Sequence, residues 1–113
     1  MSPMQVNNKR GQTRFPNHLP MQIEVGAERH EALSRNLSLG GTFIQTLAPL
    51  KEGARIRLSF TVPTQPDPIV TEAQVRWVEG EGAGILFGAL RAREMWALTK
   101  YLGEQHQTEQ HQL

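Results

Sequence analysis

Apolar and polar residues alternate with period 2 through most of the chain, and one segment near the end changes to a helical period. Met21, Ile23 and Val25 alternate with Gln22 and Glu24 and stop at Gly26, which predicts a strand with one buried face. The clearest alternation runs over residues 54–62: Ala54, Ile56, Leu58, Phe60 and Val62 point one way, Arg55, Arg57, Ser59 and Thr61 the other. The PTQPDP stretch at 63–68 is a loop. Residues 69–78 come next as a long β-branched strand that pairs back as a hairpin, with Ala73, Val75 and Trp77 on one face. Further strands are predicted over 30–35, 42–46 and 83–87. After Leu90 the spacing becomes 3, 4 and 7. Met95, Leu98 and Leu102, with Ala92 and Trp96 beside them, make one amphipathic helix that ends before Gly103. Six short strands this close together need closed or covered edges. The expected fold is therefore all-β with a C-terminal helix, a six-stranded antiparallel β-barrel whose helix covers an open end or edge.

A length of 113 residues allows one domain and not two. The polar, aperiodic residues 1–9 read as a flexible arm, 10–103 as the domain, and the glutamine-rich 104–113 as a disordered tail or frayed helical extension. No apolar run approaches the ~18 residues of a membrane span, and MSPMQVNNKR lacks the apolar region of a signal peptide. With no cysteine there are no disulfides, thiolate metal sites or cysteine nucleophiles, and the cytoplasm is the expected compartment.

The inventory also argues against an enzyme. His106 and His111 lie in the tail, while His18 and His30 sit in or beside loops without a carboxylate arranged nearby, so no triad or acid–base pair assembles. No metal-ligand spacing or phosphate-loop motif occurs, and neither metal nor cofactor is expected. The net charge of +1 hides an asymmetry: Lys9, Arg10 and Arg14 precede residue 24 with no acid among them, and the remainder carries nine basic and eleven acidic residues. A short basic arm suits a small anion better than a nucleic-acid face, and the aromatics Phe43, Phe60, Trp77, Phe87 and Trp96 fall mostly at core positions. No DNA or RNA partner and no membrane insertion are expected.

Two constellations remain. Arg10-Gly11-Gln12-Thr13-Arg14 sets two arginines four apart on a pliable segment before the first strand. Asn36-Leu37-Ser38-Leu39-Gly40-Gly41 is an N-x-S-x-x-G turn between strands. With Val75-Arg76-Trp77, Gly84-Ile85-Leu86-Phe87 and the final helix, they resemble the PilZ domain, a bacterial receptor family for cyclic di-GMP, across residues 9–102. The resemblance implies a six-stranded barrel without catalytic activity, and a ligand held between the arginine loop and the Asn/Ser/Gly turn. It names Arg10, Arg14, Asn36, Ser38 and Gly41 as contacts, with Lys9 as an additional candidate. Asn36 stands where many members carry Asp.

These residue types suit that ligand chemically. Guanidinium is planar and permanently charged, so it bridges phosphate oxygens, pairs with the guanine O6 and N7 edge, or stacks on a base. Asn36 accepts from guanine N1 or N2, Ser38 offers a hydroxyl, and Gly41 allows close approach. Arg35 is expected to face away from Asn36 on an alternating strand and to pair with a glutamate. The function these features imply is a cyclic di-GMP receptor that signals to a downstream protein through ordering of the arginine loop. The alternative is an adaptor of the same fold working without nucleotide.

Overall fold

The computed structural model describes the backbone of residues 15–111 and the side chains of residues 16–104. The strands are β1 (Phe15–Pro16), β2 (Pro20–Val25), β3 (Glu28–Leu37), β4 (Gly41–Thr46), β5 (Arg55–Phe60), β6 (Ile69–Glu79) and β7 (Gly82–Phe87), and the chain ends in helix α1 (Ala92–His111). Every pairing is antiparallel, in the order β1-β3-β2-β5-β6-β7-β4, and β4 also pairs with β3. That last pairing closes six strands into a barrel. The two-residue β1 is additional to the six: β2 pairs with β3 as far as Leu33, and β1 takes up Asn36 and Leu37 beyond it.

The alternation along β2 and β5 translates directly into packing. Met21, Ile23, Ile56, Leu58 and Phe60 turn inwards and are buried, while Gln22, Arg55 and Arg57 face out. The β2–β3 and β6–β7 hairpins have two-residue loops, each starting with a glycine at φ 60°, Gly26 and Gly80; positive φ at this position lets so short a loop match the strand twist. Phe60 and Phe87 stack at 6.0 Å inside the barrel.

Helix α1 adds Ala97, Leu98 and Leu102 to the same core cluster. Its first turn is capped by Glu94, whose Oε1 accepts the Arg91 N–H at 3.3 Å. The 63–68 loop holds it from above, with the Thr64 hydroxyl donating to the Ala97 carbonyl at 2.6 Å.

Three expectations change. Met95 and Trp96 are exposed, because the helix turns Glu94, Ala97, Leu98, Tyr101 and Leu102 inwards and the short Ala97 side chain sets that close approach. Gly103 does not end the helix, which is described through His111; an added Cβ at 103 would meet nothing, and the polar residues beyond it are adequate helix formers. Trp77 is 41% exposed and outside the core, since a bulge between Val75 and Trp77 shifts the phase of β6 by one residue.

Candidate functional site

The Asn36–Gly41 turn joins β3 to β4 and is locked from within by Ser38. The Ser38 N–H donates to the Gly41 carbonyl at 2.9 Å, and its hydroxyl oxygen accepts from Gly40 and Gly41 amides at 3.2 Å each. Ser38 is 1% exposed, so the observed work of this hydroxyl is to bond the turn's own backbone. A Cβ on Gly41 would collide with the Ile85 carbonyl of β7, and Phe87 N–H donates to the Gly40 carbonyl at 2.8 Å. The close approach seen at Gly41 is therefore strand against strand.

Asn36 is half-buried, and its Oδ1 accepts the Phe43 N–H at 3.3 Å. Its position depends on a second bulge, between Ser34 and Asn36 of β3. Because of that extra residue, Arg35 and Asn36 both stand opposite Phe43 instead of alternating. The expectation that Arg35 faces away and pairs with a glutamate is corrected accordingly: Arg35 is exposed and donates to Gln45 Oε1 at 3.0 Å, on the outward side shared with Phe43.

From Asn36 a row crosses the outer wall through residues directly opposite one another: Asn36 to Phe43, Phe43 to Gly84, Gly84 to Trp77. Glycine is what makes this row flat. A Cβ at Gly82 would sit 2.5 Å from the Phe43 ring, and one at Gly84 would run into the Trp77 indole. The two rings lie over these glycines, stacked at 6.2 Å between centroids and 22° between planes. The result is an aromatic shelf next to a polar amide and the Arg35 guanidinium. Inward-phase counting puts Trp77 in the core and so misses the shelf; the paired glycines of GAG at 82–84 are the available signal.

Arg10, Arg14 and Lys9 lie outside the described residues. Their attachment is nonetheless fixed, because Phe15, the residue after Arg14, pairs with Leu37, and Pro16 pairs with Asn36. The chain therefore enters the barrel alongside the turn.

A buried polar cluster secures this entry. Asn17 Oδ1 accepts from the Ser34 hydroxyl at 2.5 Å and from Leu19 N–H at 3.1 Å, its Nδ2 donates to the Tyr101 hydroxyl of α1 at 3.0 Å, and its own N–H donates to the Arg35 carbonyl at 3.1 Å. One residue, directly after β1, thus ties the β3 bulge and the helix together. Tyr101→Phe is expected to cost about 1 kcal/mol, the net worth of one such bond, and to lower the melting temperature by about 4–8 °C. An unchanged melting curve would show that the tie contributes nothing. Among the described residues, no group of three or more His, Asp or Glu is placed to hold a metal ion, and no helix is long and apolar enough to cross a membrane.

No curated protein matches the chain in sequence. Among solved structures, the inhibitor of motility MotI/DgrA of Bacillus subtilis is 24% identical with a TM-score of 0.76, covering 86% of this chain and 51% of its own. YcgR of Escherichia coli, solved in complex with c-di-GMP, is 16% identical with a TM-score of 0.76, over 89% of this chain and 47% of its own. PlzA of Borreliella burgdorferi, also in complex with c-di-GMP, is 17% identical with a TM-score of 0.64, over 87% and 45%. The chain thus spans about half the length of each. At these identities the likeness establishes the fold, and the barrel, turn and C-terminal helix described above are what it covers. The PilZ domain model matches residues 8–104, almost all of the chain, and with it the chain belongs to the PilZ domain family.

Proposed function

We propose that this chain is a receptor domain for cyclic di-GMP, which clamps the nucleotide between the Arg10–Arg14 segment and the wall built from Asn36 and the Phe43–Trp77 shelf. The observation that supports the reading is the β1–β3 register: Phe15, the residue after Arg14, pairs with Leu37, and Pro16 pairs with Asn36 at the start of the locked turn. The ligand brings two phosphate charges and two guanines. Arg10 and Arg14 supply forked, charge-assisted bonds to phosphate or to the guanine O6 and N7 edge. Asn36 reads a guanine edge, its amide oxygen accepting from N1 or N2. Ser38 and Gly41 contribute by holding the turn, and Lys9 adds a point charge.

Support for a base-stacking role comes from the shelf itself, since an exposed indole stacked on Phe43 is a platform that every base can use. Stacking of this kind is worth about 1–3 kcal/mol per base. Trp77→Ala is accordingly expected to weaken cyclic di-GMP binding by about tenfold while Trp77→Phe retains most of it, as read by titration calorimetry. Equal affinities for all three forms would remove the shelf from the site.

The receptor reading as a whole is tested by titrating the wild-type chain with cyclic di-GMP. Saturable heat together with a raised melting temperature is the expected result. Neither heat nor thermal shift would favour an adaptor that contacts its partner without nucleotide. Transmission to that partner requires that the arm be less ordered when empty, because a ligand shifts an equilibrium only by its differential affinity for the two states. Amide protection over residues 8–16 is expected to rise on adding the nucleotide. Equal protection in both states would leave binding intact and discard the switch.

A further inference from the structure

The outer face of α1 carries chemistry that the nucleotide site does not use. Trp96 is 59% exposed and stands clear of the core, with Met95 beside it. Arg93 and Lys100 lie one turn to either side of Trp96 on the helix, and the Lys100 ammonium is 5.3 Å from the Trp96 ring centroid. Arg91, at the helix start, has its side chain 85% exposed. The acid between them, Glu94, is turned inwards and bonded to the Arg91 N–H. Around the indole the helix therefore presents Arg93 and Lys100, while Arg91 is paired with Glu94 at 3.9 Å; the nearest exposed carboxylates are Asp67, which shares a cleft with Arg91 and Arg93, and Glu104, one turn beyond Lys100.

We infer that this face docks an acidic segment of a partner protein, one that sets a bulky apolar side chain against Trp96 and carboxylates against Arg93 and Lys100. The charge of the face selects the sign of the partner. Its size selects the class. Three cations are too few for the phosphate contacts that hold a nucleic acid. An amphipathic helix enters a bilayer through a wide apolar face, but the apolar face of α1 is already committed to Ala97, Leu98 and Leu102 of the core, leaving only Trp96 and Met95 outside. A tryptophan held by a neighbouring cation and flanked by arginine has instead the composition of a protein hot spot, with little side-chain freedom left to lose on binding. The Asn17–Tyr101 bond connects the inner side of this same helix to the root of the arginine segment, so the surface names the output of the receptor reading and rests on that reading only for the signal it carries.

The test is selection from a random dodecapeptide display library by the full chain, once empty and once saturated with cyclic di-GMP, with affinities of the selected synthetic peptides measured by fluorescence anisotropy. The expected peptides are rich in Asp and Glu around an aromatic or leucine residue. They should lose roughly thirtyfold in affinity against Trp96→Ala and against Arg93→Glu/Lys100→Glu, as at a hot spot, and keep it against Leu47→Ala on another exposed site. All three variants change exposed side chains, and unaltered melting curves confirm the fold. Selection of basic or uncharged peptides, of none, or of peptides indifferent to Trp96 overturns the proposal. So does Trp96-dependent binding to phosphatidylglycerol vesicles or to a single-stranded oligonucleotide in place of acidic peptides. Acidic peptides bound through Trp96 by a chain that shows no heat with cyclic di-GMP would uphold the surface and sink the receptor reading instead.

Discussion

Replacing Arg10 and Arg14 together by alanine is expected to weaken cyclic di-GMP binding by roughly a thousandfold while leaving the melting temperature of the empty chain unchanged. Each arginine bond to a charged group is worth about 1.5–3 kcal/mol, or ten- to a hundredfold in affinity for a single change. The pair act on one dianion, so their losses need not add in full. The barrel is expected to be insulated from the substitution because both residues precede β1 and, among the described residues, the buried hydrophobic core begins at Met21. Calorimetry gives the affinity and a thermal melt the stability. Arg14→Lys discriminates further: an ammonium retains the charge and forfeits the planar fork, so an intermediate loss marks bidentate or stacked recognition and full retention marks simple attraction. A double variant that binds within about threefold of wild type would place the nucleotide elsewhere on the molecule.

Gly41→Ala should be the most damaging change in the turn, destabilising the fold by about 3 kcal/mol and lowering the melting temperature by about 15 °C. The added methyl would occupy the position of the Ile85 carbonyl, which is backbone and has no rotamer to give. β4 and β7 would have to separate where Gly41 faces Leu86, and the Phe87 to Gly40 bond at 2.8 Å would stretch with them. Any loss of nucleotide affinity in this variant would be secondary to the lost turn. A denaturant titration measures the effect, and a midpoint within error of wild type would show that the barrel seam is looser than its geometry implies.

The parts of the fold that the amino-acid pattern reveals are those governed by uninterrupted period. Ile56, Leu58 and Phe60 alternate without a break, and β5 sits where the pattern places it. The parts it conceals lie beyond bulges. One extra residue at Arg35 and another near Arg76 reverse the phase of the residues after them, so Arg35 joins Asn36 on one side and Trp77 leaves the core. A bulge has no fixed signature in composition. It is imposed by the partner strand, and here both accompany close passages of neighbouring chain, at β1 and over Gly84. The helix shows the same limit differently: Leu98 and Leu102 are read correctly, but Met95 and Trp96 are large and apolar, and nothing local tells that the small Ala97 fixes the inner face. In the turn, Ser38 and Gly41 are legible as a motif, whereas their intramolecular duties become visible only with β7 beside them.

That dependence on β7 has a consequence for synthesis. The ribosome releases the Asn36 turn early, but the strand that braces it, bonding Gly40 and lying under Phe43 and Trp77, is the last of the seven to emerge. Pairings between segments so distant along the chain form slowly, since loop closure must precede any gain. A nascent chain therefore holds every letter of the turn without its shape until β7 has emerged to brace it.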